Sequence, residues 1–180
     1  GSKMVDEDLS LEDSRKAVNL IMQRTRELHE KGFPAEVLTV DNHCDGPYIY
    51  LKMLKENPER AAEIFELLSM NQGNSSGIGI GCVSWDGSVH ADQFWRHYSF
   101  GNVRERSFSE IWTDLSDELM AGLKYRKPLI QANGDRCAKC KWFDVCNGNF
   151  RVRAEAVYGN VWADDPACYL TKEEIGYDEA

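Results

Sequence analysis

Cys137-Ala138-Lys139-Cys140-Lys141-Trp142-Phe143-Asp144-Val145-Cys146, answered by Cys168 near the end of the chain, gathers four soft ligands into one region. Everything else in the sequence is read outward from it. Thiolates separated by two residues grip one ion or one cluster corner to corner, and the wider gap before Cys146 lets the backbone wrap beneath it. A fourth thiolate closes an all-cysteine set, which suits either a [4Fe-4S] cluster or a structural zinc. Disulfides fit less well, because no secretory leader is recognisable and the spacing belongs to a reducing compartment.

A chain of 180 residues can bury one core, or a small core with a metal-stapled appendage, and hardly two full domains. With 21 basic against 30 acidic residues the net charge is -9, an unfavourable field for nucleic acid, so no such partner is expected. No apolar run approaches the roughly 20 residues of a membrane span. A cytoplasmic protein without a membrane partner follows. The opening Gly1-Ser2-Lys3-Met4 reads as a cloning remnant, and residues 1–9 as tag and disordered lead.

Helix and strand patterns alternate in the first third. Ser10 with Asp13 makes a capping-box-like start, and Ala17, Leu20, Ile21, Arg24 and Leu28 mark one face of a helix that Gly32 and Pro34 end. Glu36 to Val40 is a short apolar run of strand type. Pro47 and Pro58 each stand at a plausible first position of a further helix. There are too few strands to close a barrel. The Gly/Ser/Asn-rich stretch 73–81 lacks the Lys-Ser/Thr ending of a phosphate loop, so its glycines read as a linker or as backbone fitted against a neighbour. A hairpin follows, Cys82 to Ala91, with Asp86-Gly87 as a two-residue type I′ turn. Ser109 is expected to cap one helix through Ile111, Trp112, Leu115, Leu119 and Leu123. Arg151 to Tyr158 reads as a short helix stopped by Gly159.

The hairpin that opens with a cysteine, the Asn102 to Trp112 segment, the Cys-x2-Cys-x5-Cys run and a final cysteine together resemble the auxiliary iron-sulfur (SPASM) domain of radical S-adenosylmethionine enzymes. Asp41 to Gly46, Gly87 to Trp95 and Gly101 to Trp112 narrow the resemblance to the branch that modifies sirohaem-derived tetrapyrroles in haem d1 and alternative-haem biosynthesis. It covers roughly residues 10 to 172. The implied fold is α+β: residues 10–72 as the C-terminal remnant of a partial (β/α) barrel, 73–81 as linker, 82–172 as a SPASM-like domain of β-hairpin and helices around the four-cysteine site, and 173–180 as tail. A full SPASM domain holds two clusters on seven cysteines. Here two expected cysteine positions are Asp92 and Phe150, and Cys82 is left without partners. The resemblance therefore implies one auxiliary [4Fe-4S] cluster on Cys137, Cys140, Cys146 and Cys168, with zinc able to take its place in recombinant protein.

The Cys-x3-Cys-x2-Cys loop that binds the S-adenosylmethionine cluster does not occur in this sequence. The resemblance places that cofactor and its own [4Fe-4S] cluster in an upstream part, leaves this chain inactive alone, and puts the folding of its first third in doubt. A tetrapyrrole substrate and an electron donor are the implied partners of the full-length protein. Within the ligand loop, Trp142 and Phe143 either exclude water from the cluster or simply pack the core. Lys139 and Lys141 either offset thiolate charge or are solvated.

Five further residues are candidates for substrate binding. Asn42 and His43 follow the strand-like run, where barrel strands present side chains to an active site; capping of the next turn is the plainer account. His90 and Asp92 share one hairpin face by period two and are expected to form a pair, facing a pocket or solvent. Arg104, with Arg106, offers guanidinium geometry for a carboxylate, against surface pairing with Glu105 or Glu110. Cys44 reads as a small buried residue with no chemistry. Besides the tetrapyrrole enzyme, two functions stay open: a peptide- or protein-modifying radical enzyme, and a non-catalytic zinc module.

Overall fold

The computed structural model describes residues 8–133 and 135–177. The tag reading of residues 1–7 and the last three residues of the tail lie outside the described residues. Helix α1 (Leu11–Glu30) begins where Ser10 accepts a hydrogen bond from the Asp13 N–H, satisfying one of its free N-terminal donors. Helix α2 (Asp45–Glu56) starts two residues before Pro47, and α3 (Pro58–Asn71) has Asn57 as its cap, accepting from the Arg60 N–H. Pro58 therefore stands at the first helical position as read, whereas Pro47 sits inside the first turn of α2, where its missing N–H is equally harmless.

The expected strand Glu36 to Val40 is not formed. Residues 33–40 are irregular, and Leu38 and Val40 are 86% and 73% exposed. A strand exists only through ladder bonds to a neighbour, and none lies beside this segment among the described residues. What forms instead is a three-stranded antiparallel sheet of β1 (Cys82–Val83), β2 (Ser88–His90) and β3 (Gly101–Asn102), with Cys82 opposite His90 and Ser88 opposite Asn102. The hairpin is present, but its turn is not type I′, which needs positive φ at both central residues. Only Gly87 has it (φ 93°); the Gly87 N–H donates to Ser84 O and the Ser84 N–H to Ser88 O, giving a three-residue loop.

The single helix expected from Ser109 is two helices. Ser107 rather than Ser109 makes a reciprocal capping box with Glu110, opening α4 (Phe108–Thr113). Asp114 then accepts from both the N–H and the hydroxyl of Ser116, a local alternative that stops the helix, and Asp117 caps α5 (Glu118–Lys124). Four more helices follow: α6 (Arg126–Ala132), α7 (Arg136–Lys139), α8 (Phe143–Cys146) and α9 (Arg151–Tyr158), the last ending at Gly159 as the sequence indicates. Residues Lys172–Ile175 form α10, and Ile175 is buried.

Two cores hold these elements. One joins Val18 of α1, Cys44, and Tyr48 of α2 to Trp142, Tyr169, Leu170 and Ile175, so the first third and the C-terminal ligand segment share one interior. Each large side chain there contributes about 1.5–3 kcal/mol of burial. Trp142 also donates its indole N–H to the Glu174 carbonyl at 2.7 Å, which fixes α10 against the ligand loop. The other core holds Ala91, Trp95 and Leu123 between the sheet and α5. The stretch 73–81 runs between the two cores with its backbone packed hard against neighbours: a Cβ on Gly73 would fall 2.3 Å from the backbone of Cys146.

Candidate metal centre

Short elements bring the four cysteines together. Cys137 lies in α7, Cys140 caps its end, Cys146 closes α8, and Cys168 follows the Asp165 turn. Cys137, Cys140 and Cys168 ring a cavity of about 20 Å³ with Arg136, Asp164 and Ile175, and Cys146 lies within electrostatic reach of all three other thiols. Among the described residues no three His, Cys, Asp or Glu side chains are posed as one bound ion would hold them. Seating a four-iron cluster in so small a space requires the thiols to rotate outward.

The donor chemistry fits such a group. Backbone N–H groups point at sulfur: Trp142 N–H reaches Cys140 Sγ at 3.4 Å, and those of Leu170 and Asp165 serve Cys168 and Cys137. Burial pushes the Cys137 thiol up to about 12 and raises those of Cys140 and Cys146, so these thiols need a cation beside them to ionise. Fixed positive charge is at hand. Arg151 is fully buried and gives its guanidinium N–H groups to the carbonyls of Val161, Ala163 and Gly148, its charge facing Cys137 and Cys146. Arg136 donates to the Leu170 carbonyl and favours the thiolates of Cys140 and Cys168. The Nε atoms of both arginines are buried without a hydrogen-bond partner among the described residues.

Asp164 and Asp165, which the sequence reading passed over, hold the ligand segments in register. Asp164 accepts from the N–H groups of Arg136 and Cys137. Asp165, its side chain 1% exposed, accepts from the N–H groups of Phe150 and Ala167 and from the guanidinium of Arg153. A carboxylate that closes on two backbone segments and a guanidinium is a strong local anchor. Their signal was present as two acidic residues just before Pro166 and the last cysteine.

A second cavity, about 570 Å³, opens beside the centre and is lined by Asn42, His43, Asp92 and Phe150 among others. Three of the five substrate candidates thus meet. Arg104 does not line it; it reaches the Trp85 carbonyl at the hairpin tip, while Arg106 pairs with Asp114 at 2.8 Å, rather than with Glu105 or Glu110. The expected His90–Asp92 pair is absent: His90 Nδ1 donates to the Tyr98 carbonyl at 2.7 Å, and Asp92 accepts from Ser76 Oγ at 2.5 Å and Phe94 N–H at 2.7 Å. The turn after β2 breaks the period-two geometry on which the pair depended. Burial and the charge of Arg153 lower the His43 pKa, which favours the neutral ring.

The pocket loop is tied directly to the ligand segments. Asn149, just after Cys146, donates to Asn42 Oδ1 at 2.7 Å and accepts from the His43 N–H at 3.0 Å. Asn42 in turn donates to the Ala167 carbonyl at 3.2 Å. Asn147, Gly148 and Asn149 all have positive φ (54°, 73° and 57°), a left-handed run that asparagine and glycine tolerate best. Cys44 completes the link. Its thiol donates to the Ala167 carbonyl at 3.9 Å, and Cys168 packs against the core that holds it.

The iron-sulfur cluster-binding SPASM family matches residues 81–141. Over 180 residues the chain is 89% identical to Fe-coproporphyrin III synthase of Methanosarcina barkeri, covering 100% of this chain and 45% of that protein. Over 179 residues it is 37% identical to pre-heme d1 synthase of Dinoroseobacter shibae, covering 98% of this chain and 43% of that protein. The chain therefore spans less than half the length of these curated relatives, which it resembles along nearly its whole length. No solved structure matches the chain. No helix among the described residues is long and apolar enough to cross a membrane.

Proposed function

We propose that this chain is the auxiliary-cluster part of a cytoplasmic radical S-adenosylmethionine oxidoreductase that alters side chains of a sirohaem-derived tetrapyrrole. One [4Fe-4S] cluster is held by Cys137, Cys140, Cys146 and Cys168. Residues 10–72 belong to a partial barrel whose strands, with S-adenosylmethionine and its own cluster, lie in the part of the parent outside this chain. The observation that carries the reading is the 570 Å³ cavity whose lining loop, Asp41 to His43, is hydrogen-bonded to Asn149 and to the carbonyl of Ala167, the residue before Cys168. Such a site is mostly apolar with a few convergent polar groups, as a macrocycle requires.

Bound, a cluster ligated by four thiolates supplies one-electron redox chemistry or structural support, with no open iron for substrate. The chain's residues do the rest. Phe150, edge-on to Phe94 and 5.6 Å from the His43 ring, makes the pocket wall apolar. Neutral His43 and Asn42 offer hydrogen bonds without adding charge. Asp92, buried in the cavity lining, is held by Ser76 and Phe94. Trp142 and Phe143, both buried, keep water from the ligand loop.

The test is titration of an iron-coproporphyrin-type tetrapyrrole into the full-length parent, followed by absorbance. His43→Ala and Asp92→Asn should each weaken binding about tenfold, roughly 1.4 kcal/mol, and Arg104→Ala should leave it unchanged. Equal binding by the wild type and by both pocket variants would remove the pocket from the account.

A further inference from the structure

Asn74 is 2% exposed and lines the 570 Å³ cavity, and all but one of its polar atoms are committed to the protein. Its N–H donates to the Cys146 carbonyl at 3.1 Å and its carbonyl accepts from Asn147 Nδ2 at 2.7 Å, so its backbone is clamped to the metal loop. Its Oδ1 accepts from Arg126 Nη1 at 2.8 Å and from the Ser76 N–H at 3.1 Å. Two donors on one atom make that atom the oxygen, so the other amide atom, Nδ2, can only donate. Nδ2 has no acceptor among the described residues, and it is not sealed off as the indole nitrogen of Trp95 is, so it opens onto the cavity.

Arg126 holds the amide in this pose. Its guanidinium is 2% exposed, and its remaining N–H groups go to the carbonyls of Leu123 and Ser76, so every group that accepts from it is a neutral amide oxygen. Burial, then the charge of Arg151, pulls its pKa down to about 10 while Asp92 opposes the fall, which leaves it charged at neutral pH. A full positive charge behind Oδ1 polarises the amide and strengthens Nδ2–H as a donor to an anion. Asp92 does not take that bond, since its oxygens are occupied by the Ser76 hydroxyl and the Phe94 N–H.

We propose that Asn74 is a ligand-binding residue that donates its Nδ2–H to a side-chain carboxylate of the tetrapyrrole. The inference rests on the tetrapyrrole reading above. An acceptor-only group matches a donor-only amide, and the guanidinium behind it favours an ionised carboxylate over a neutral carbonyl.

The experiment is binding of iron-coproporphyrin and of its tetramethyl ester, followed by absorbance, to the full-length parent as wild type and Asn74→Asp, with melting temperature and bound iron measured on each protein before the probe is added. The substitution is isosteric: it keeps an oxygen for Arg126 and Ser76, gives the guanidinium a carboxylate partner, and replaces the one free donor by an acceptor. N74D should therefore melt no lower than wild type and keep its iron, yet bind the acid at least about tenfold more weakly. The loss should be at least about threefold smaller on the ester, whose acceptors carry no charge for the new carboxylate to repel. A residue that only framed the cavity would lose stability and binding together. A wild type that binds neither probe would overturn the tetrapyrrole reading and this inference with it. Where the wild type binds the acid, equal binding by N74D, or the same loss on acid and ester, would overturn this inference alone, as would a lower melting temperature with lost iron in N74D.

Discussion

Replacing Gly73 by alanine should loosen the metal loop from outside it. Gly73 has φ +68°, and a Cβ there would lie 2.3 Å from both C and O of Cys146 and 2.6 Å from the Val145 carbonyl oxygen. These are backbone atoms of the ligand segment, which cannot rotate aside as a flexible side chain would. Left-handed φ costs alanine about 1–2 kcal/mol, and overpacking adds about 1–3 kcal/mol, so Gly73→Ala should cost roughly 2–5 kcal/mol. Gly159 is the control, with φ +63° and nothing within 4 Å of its Cβ position. Gly159→Ala should lose the conformational part alone, about 1–2 kcal/mol. For a chain of this size each kcal/mol is about 2–4 °C in Tm, so thermal melts separate the two variants. Iron bound on reconstitution should fall in G73A and stay at the wild-type level in G159A. Equal melting losses with full iron in both would refute the claim that segment 73–81 buttresses the ligand loop.

Other outcomes follow from the same contacts. Cys137→Ser, Cys140→Ser, Cys146→Ser and Cys168→Ser should each lose most bound metal, while Cys82→Ser, on the sheet opposite His90, keeps it; metal analysis after desalting decides. Arg153→Ala strands the buried Asp165 carboxylate and should cost about 2 kcal/mol in denaturant unfolding, a charge-assisted bond lost. The Arg15 guanidinium holds the Glu174 carboxyl below its ordinary value of 4.5. That stabilisation is complete above pH 4.5 and is lost as pH falls through the lower folded value. Glu174→Gln should therefore flatten this part of the acid limb in a stability-versus-pH series, and an unchanged slope would count against the pair.

Local chemistry was the part of this molecule most legible in its sequence. Ser10, Pro58 and Gly159 mark helix ends because a cap, a fixed φ and a left-handed stop act within a few residues. The four cysteines were read as one set from ligand type and spacing, and the fold brings their thiols near one another. Glu36 to Val40 failed because strand formation depends on a neighbour that no local pattern reveals. The His90–Asp92 pair failed because alternation holds only while the strand continues, and it ends at His90. Asn149 and Asp165 were missed for one reason: each acts on a partner far along the chain, Asn42, and Arg153 with Phe150. Single residues of ordinary type carry no mark of such contacts until the fold brings them together.

The central claim is that Cys137, Cys140, Cys146 and Cys168 bind one iron-sulfur cluster. The direct measurement is iron, acid-labile sulfide and zinc per chain after anaerobic reconstitution, with visible spectra before and after dithionite. The account expects about four iron and about four sulfide with a band that bleaches on reduction; about one zinc with no reconstitutable iron would contradict it and leave a structural four-thiolate module.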